Sequence, residues 1–147
     1  MEQIIIQRAE EKDWPYIQEK LKNYLLDSRG VQWNNFFVSK HEDKTVAFGR
    51  VIDHGEYLEV ASLGVDYYFR KKGIGADMLL SLVAEAKRID PGKDVYGVTH
   101  LPGFLIKAGF EEVSEGPEEM EYKRHHQHKL DASKIKIMKL KKKQVCG

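Results

Sequence analysis

Short apolar runs alternate along this chain with one long amphipathic segment, and the pattern predicts a mixed α/β protein. The helical spacing of Ile74, Met78, Leu82 and Ala86, widened by neighbouring apolar positions, predicts a helix over 74–89. Runs rich in β-branched and aromatic residues predict strands over residues 4–7, 36–39, 45–52, 57–65, 94–99 and 134–140.

Two further helices follow from weaker signals. Asp13 is a candidate N-cap with Pro15 in the first turn, and the apolar spacing that follows continues until Gly30. Residues 102–108 predict a short helix that Gly109 ends. The acidic stretch 111–124 predicts a loop with some helix. The order β-α-β-β-β-α-β-α-loop-β defines an α/β fold class, a single-domain mixed β-sheet flanked by helices.

Composition restricts the class of protein. A chain of 147 residues with 32% charged and 41% hydrophobic residues is typical of one globular domain, here 1–147. The apolar runs are too short for a membrane span, so we expect no membrane partner. The single cysteine, Cys146, allows no internal disulfide, and this predicts a cytoplasmic protein.

The net charge of +1 is unevenly distributed. The segment 123–147 contains nine Lys or Arg residues and one acid, so residues 1–122 sum to −7. A basic C-terminal segment can meet nucleic acid, an acidic partner or phosphate. Its lysines can also protect an edge strand from aggregation, and this interpretation is favoured because the segment has no aromatic residue to stack on bases.

The junction between a predicted strand and the long helix carries the string "RKKGIG", from Arg70 to Gly75. Free N–H groups at a helix start, glycines and cations together indicate a phosphate site. A P-loop needs a glycine, four residues and then Gly-Lys-Ser/Thr, and no such string occurs here. A dinucleotide-binding fingerprint would need a third glycine at the position of Met78. An ordinary surface turn is the alternative.

The stretch "LGVDYYFRKKGIG" resembles the acetyl-CoA signature of the GNAT superfamily of N-acetyltransferases. The matching positions are Leu63, Val65, Arg70, Gly73 and Gly75. Downstream, "FLIKAGFEEV" is similar to the family's Phe-Tyr-x-x-x-Gly-Phe segment, and upstream "FFVSKHEDKTVAFGRV" is similar to its central hairpin. The resemblance covers about residues 4–115.

The resemblance implies acetyl-CoA as a co-substrate and no metal. Backbone amides of the glycine loop would hold the pyrophosphate, and the end of strand 57–65 would part from 95–98 to pair with the pantetheine arm. The cofactor-binding residues that it implies are Leu63, Gly64, Val65, Arg70, Lys71, Lys72, Gly73, Ile74, Gly75, Ala76 and Phe104.

The family's reaction moves an acetyl group to an amine that must first lose a proton. Glu59 lies where several members carry a catalytic glutamate, and strand alternation predicts that it shares a face with Leu63 and Val65. The alternative is a solvent-facing Glu59 paired across the sheet with Arg50. The N–H of Val65 is the candidate oxyanion donor.

The chain departs from the family at the acid. Leu105 occupies the position of the usual tyrosine and cannot donate a proton. Tyr67, Tyr68 or His100 could replace it, and His100 is the one nearest the expected thioester position. An ordinary loop histidine is the alternative for His100.

The acceptor is expected to be a primary amine of a small molecule or a peptide. The string "KRHHQH" (123–128) has three histidines, but zinc takes three or four protein ligands, and we expect none there. Some small GNAT members similar to amino-acid acetyltransferases have a comparable basic segment, which favours an amino-acid-like substrate. We expect helix one, the 30–35 turn and 111–128 to form the acceptor site, with Trp33 and Tyr57 as candidate walls and Phe36 as core.

Two other functions stay open at this level. The absent tyrosine is compatible with a non-catalytic acyl-CoA-binding or regulatory module. The basic segment is compatible with a nucleic-acid-binding domain, although we expect no nucleic-acid partner. A homodimer through the last strand is also open.

Overall fold

The computed structural model describes residues 4–126 and 132–142. Seven strands and four α-helices make up this part of the chain. They are β1 (Ile4–Arg8), α1 (Trp14–Asn23), β2 (Phe36–His41), β3 (Lys44–Asp53), β4 (Tyr57–Val65), α2 (Ile74–Ile89), β5 (Asp94–Thr99), α3 (Pro102–Ile106), β6 (Phe110–Val113), α4 (Glu118–His126) and β7 (Lys136–Leu140). His128 and Cys146, which the sequence analysis singled out, lie outside the described residues.

The strands form one sheet in the order β1-β2-β3-β4-β5-β7-β6. Only β4 and β5 run parallel among the described pairs; all the others are antiparallel. On one face, α2 packs through Met78 and Leu82 into a core that also contains Leu105 of α3. On the other face, Ile17 and Leu21 of α1 pack into a second core. This is the predicted α/β architecture, a mixed sheet covered by helices on both faces.

Over 111–124 the structure has the predicted helical part as α4, but the prediction missed the strand β6. A strand of four residues is too short to show a period, and α4 buries only Met120 and Lys123 and so has no apolar stripe. The last strand, β7, lies between β5 and β6. Its lysines therefore do not protect a sheet edge.

Helix α1 starts as predicted, with Asp13 at the N-cap position and Pro15 in the first turn. The Asp13 side chain makes no capping hydrogen bond, however, and the helix ends at Asn23 rather than continuing to Gly30. The Asp13 carboxylate instead accepts the backbone N–H of Glu10 at 2.7 Å and pairs with the ammonium of Lys40. Burial alone would raise the pKa of Asp13, but Lys40 and these hydrogen bonds hold it below its ordinary value.

A β-bulge in β4 changes the faces of its side chains. Arg50 lies opposite Ala61 whereas Phe48 lies opposite Gly64, so three steps along β4 match two along β3, and Ser62 takes a positive φ of 57°. Leu63 and Val65 consequently pack into the core around α2. Glu59 lies on the opposite face, so the prediction that it shares a face with Leu63 and Val65 was wrong.

A hydrogen bond joins α1 to the segment that follows β4. The Tyr16 hydroxyl donates to Asp66 Oδ2 at 2.8 Å, and the other oxygen of Asp66 accepts the N–H of Tyr68. Burial and the Asp66 carboxylate raise the pKa of Tyr16, which therefore stays protonated as the donor.

We expect Tyr16→Phe to lower the free energy of unfolding by about 1.5–3 kcal/mol, because hydrogen bonds to charged groups contribute about that much. Urea denaturation measures the change. Tyr68→Phe is the control because Tyr68 is largely exposed. Equal stability of the two variants would contradict the structural role of Tyr16.

Candidate active site

The parallel strands β4 and β5 separate halfway along their length. Three residue pairs join them: Tyr57 with Asp94, Leu58 with Val95 and Glu59 with Tyr96. Beyond Glu59 the two strands enclose a cavity of about 510 Å³. The predicted parting of the strand end from 95–98 is therefore present in the structure.

The cavity wall on the α2 side is mainly apolar. Leu63, Val65, Leu82 and Phe104 line it, and Gly97 of β5 gives Leu105 room, because a Cβ on Gly97 would lie 2.9 Å from a Leu105 methyl group. Leu63, Gly64, Val65, Arg70 and Phe104 of the predicted cofactor set are among the lining residues.

Val65 presents its backbone N–H to the parted edge. The N–H of Asp66 donates to Val46 of β3 at 2.8 Å. Because successive residues of a strand turn their backbone groups to opposite edges, the N–H of Val65 points away from β3. The carbonyl of Val65 accepts the Nε–H of Arg70 at 3.0 Å. The N–H of Val65 therefore faces the parted edge of the sheet.

The glycine loop adopts the conformation that its sequence requires. Gly73 has a φ of 81° and is the N-cap of α2, a left-handed conformation that costs a side-chain-bearing residue free energy. The first N–H groups of α2 have no partner within the helix. A Cβ on Gly75 would lie 3.2 Å from a methyl group of Val65, so this glycine lets α2 start close to the cavity.

The cations of this loop point in different directions. Arg70 lies over the ring of Tyr24 at 4.7 Å, in addition to its bond to Val65, so its side chain reaches back toward the strand end. Lys72 lies over the ring of Phe69 at 5.5 Å. Of the three loop cations, Arg70 is the one that lines the cavity.

A buried cluster of charges lies on the opposite side of the cavity. Glu59 is 1% exposed and Lys123 of α4 is 4% exposed at their side chains, and the ammonium of Lys123 pairs with the carboxylates of both Glu59 and Asp27. Glu59 Oε1 lies 2.8 Å from His54 Nε2. Glu59, Asp27 and Lys123 all line the cavity.

Arg50 completes this cluster without contacting Glu59 directly. Its Nε–H donates to Ser62 Oγ at 3.0 Å, and its Nη2 donates to the carbonyl of Arg29 and lies 3.5 Å from Asp27 Oδ2. Burial lowers the pKa of Arg50, although Asp27 and Glu59 oppose this effect. Both parts of the alternative for Glu59 were wrong, since Glu59 is buried and Arg50 pairs elsewhere.

Asp27 is held as a carboxylate by these cations. Burial alone would raise the pKa of Asp27, but the charge and hydrogen bond of Lys123, the backbone N–H of Arg29 and the charge of Arg50 lower it below the ordinary range. Two anions and two cations therefore balance within the cluster.

Among the candidates for the acid, the structure brings only His100 to the cavity wall of the described residues. Tyr67 and Tyr68 are 69% and 81% exposed and do not line it, and Leu105 is buried in the core. The proposed wall residues Trp33 and Tyr57 also lie outside the lining, and Phe36 belongs to the core, as expected.

The sequence did not single out Tyr24, Asp27, Ser62 or Lys123 individually, because their separation in the chain gives no local motif. Tyr24 and Asp27 fall within the predicted extent of helix one, and Lys123 falls within 111–128, two segments that were expected to form the acceptor site. Ser62 had no such signal. Within residues 4–126 and 132–142, no group of three or more His, Cys, Asp or Glu side chains is arranged to hold a metal ion.

Comparisons with solved structures identify the fold. N-acetylglutamate synthase from Neisseria gonorrhoeae, complexed with coenzyme A and N-acetyl-glutamate, superposes with a TM-score of 0.74 at 18% identity over 95% of this chain. The Rv2747 protein of Mycobacterium tuberculosis, in complex with CoA, gives 0.73 at 20% identity over 92% of this chain. The IAA acetyltransferase of Bacillus cereus gives 0.69 at 16% identity over 94%.

These similarities confirm the fold that the resemblance to the GNAT superfamily predicted. The chain spans 35% of the gonococcal synthase but 98% and 99% of the other two proteins. No protein-family model and no curated protein sequence matches the chain. In the described part of the chain, none of the helices has the length and apolar character needed to cross a membrane.

Proposed function

We propose that this protein is an acetyl-CoA-dependent N-acetyltransferase that acts on a primary amine of a small molecule or a peptide. The observation that carries the proposal is the parting of β4 from β5. It leaves an apolar cavity with an unpaired backbone edge at Val65 on one side and a buried carboxylate, Glu59, on the other.

The residues of the cavity divide the work between binding and proton transfer. The start of α2 at Gly73 would hold the pyrophosphate, and the edge at Val65 would hold the arm that carries the thioester. Glu59 would take the proton of the acceptor ammonium, which is mostly charged at neutral pH. The N–H of Val65 would donate to the oxygen on which negative charge develops.

The acceptor is proposed to be amino-acid-like. Lys123 and Arg70 line the cavity and can attract a carboxylate, while Asp27 and Glu59 can attract an ammonium. The gonococcal synthase, whose structures contain N-acetyl-glutamate or L-arginine, is a neighbour by fold. We also propose that the protein acts in the cytoplasm.

Isothermal titration calorimetry with acetyl-CoA tests the proposal. We expect wild type to bind and Gly73→Val to bind about tenfold more weakly or not at all, because the left-handed conformation costs a side-chain-bearing residue about 1–2 kcal/mol and disturbs the start of α2.

The matched control is Gly55→Val. Gly55 also has a positive φ, 94°, and open space around it, but it lies in the β3–β4 turn. It should keep wild-type affinity. Absence of acetyl-CoA binding by wild type would overturn the proposal, and binding would justify a screen of amino acids, diamines and peptides for acetylation.

A further inference from the structure

The proposed function assigns no role to the hydrogen bond between His54 and Glu59. His54 lies in the turn between β3 and β4, and its ring stacks on Tyr57 with centroids 4.6 Å apart. Its backbone N–H donates to the carbonyl of Tyr57 at 3.0 Å, which fixes the turn. The His54 side chain is 20% exposed whereas that of Glu59 is 1% exposed.

We infer that His54 is the proton exit for Glu59. Conversion of an ammonium to an amide releases two protons as the nitrogen lone pair bonds to the acetyl carbon and the carbon–sulfur bond breaks. The thiolate that leaves takes up one proton to become a thiol, so each transfer releases one net proton. Once Glu59 has taken that proton, it must lose it before the next turnover. Its oxygen Oε1 meets Nε2 of an imidazole that reaches the surface. This inference rests on the proposed function.

The direction of transfer follows from what each partner of Glu59 can accept. A neutral imidazole has one ring nitrogen that can take up a proton. The second carboxylate oxygen of Glu59 is held by the Lys123 ammonium, which cannot accept a proton. Of the two contacts of this carboxylate, His54 alone can receive the proton.

Charged groups from several elements surround the pair. Lys123 of α4 forms an ion pair with Glu59, and Arg50 of β3 interacts with it electrostatically. Asp53 and Tyr57 lie near His54, and Glu119 of α4 acts electrostatically on Tyr57. Burial and the charge of Glu59 raise the pKa of Tyr57 to about 12, so its hydroxyl stays protonated and does not compete as a base.

Another titratable ring completes this environment. Tyr96 of β5 packs edge-on against Tyr57, 5.6 Å between centroids, and Asp27 shares the Lys123 ammonium with Glu59. Among the described residues, the side chain of Glu59 makes hydrogen bonds to His54 and Lys123, and neither Tyr96 nor Asp27 takes part in them. The relay therefore runs from Glu59 to His54 and then to water.

The test compares His54→Gln with wild type on an amine that wild type acetylates. Glutamine keeps a donor near Glu59 but cannot carry a proton at neutral pH. We expect kcat to fall about tenfold or more with little change in KM, and added imidazole to restore it. The pH dependence of kcat between about pH 5 and 8 should differ between wild type and the variant, because glutamine cannot take up a proton in that range.

The matched control is His126→Gln. His126 also stacks on a tyrosine, Tyr122 at 4.5 Å, but contacts that residue's carbonyl rather than a buried carboxylate. It should keep the wild-type profile. A wild-type kcat and pH profile in His54→Gln, or a loss that imidazole does not restore, would overturn the relay while leaving the acetyltransferase proposal intact.

A readout without turnover tests the pair itself. The ¹⁵N resonance of His54 Nε2 should shift in Glu59→Gln and stay unchanged in Glu119→Gln, whose carboxylate pairs with Arg29. An unchanged resonance in Glu59→Gln would overturn the inference. Absence of acetylation by wild type on every amine tested would overturn the proposed function and the relay together.

Discussion

Glu59→Gln is expected to lower kcat by about a hundredfold or more while the affinity for acetyl-CoA stays at the wild-type value. A positioned base typically contributes about 10²–10⁴ in rate, and Glu59 is the buried carboxylate at the point where β4 and β5 part. The loss should be largest below neutral pH, where more of the acceptor amine is protonated. Steady-state rates from pH 5.5 to about 9, with calorimetry for acetyl-CoA, measure the two effects.

Glutamine has the shape of glutamate and retains an oxygen that can accept a hydrogen bond from Lys123. A lower kcat would therefore reflect the missing base and not a disrupted charge cluster. Glu119→Gln is the control, because this carboxylate on α4 pairs with Arg29, outside the cavity lining. It should keep wild-type kinetics. A pH–rate profile unchanged by Glu59→Gln would remove Glu59 from the mechanism.

The fold was predictable wherever a local pattern was strong. The strand Tyr57–Val65, the helix Ile74–Ile89 and the strand Asp94–Thr99 have the predicted bounds, because each has a clear apolar period and turn residues at its ends. The polar helix α4 was predicted only as some helix within a loop, without bounds, because its buried residues are one methionine and one lysine, which give no hydrophobic period.

The site was predictable where its residues are close together in the chain. The glycine loop and the strand before it are contiguous, so their roles could be read together. The bulge at Ser62 has no sequence signal, and it alone reversed the expected face of Glu59 relative to Val65. Lys123 is 64 positions from Glu59, and the fold alone brings the two together.

Lys123→Met is the substitution with the largest expected effect on stability. Methionine approximates the length of lysine but leaves the carboxylates of Glu59 and Asp27 buried without their shared cation. Removing one partner from a buried ion pair typically costs about 3–5 kcal/mol. Guanidinium chloride denaturation should show this loss, and Lys87→Met, on the exposed side of α2, should show almost none.

The double variant Lys123→Met/Asp27→Asn should recover part of the loss, because one unpaired anion is then removed. The pH dependence gives an independent check. The pKa of Asp27 is lowered in the folded state, so its stabilising contribution is complete above the unfolded pKa of about 3.9 and is lost as pH falls through the folded value. The stability gap between wild type and Lys123→Met should therefore narrow as the pH is lowered below about 4. A single-variant loss below about 1 kcal/mol at neutral pH would show that the cluster does not depend on Lys123.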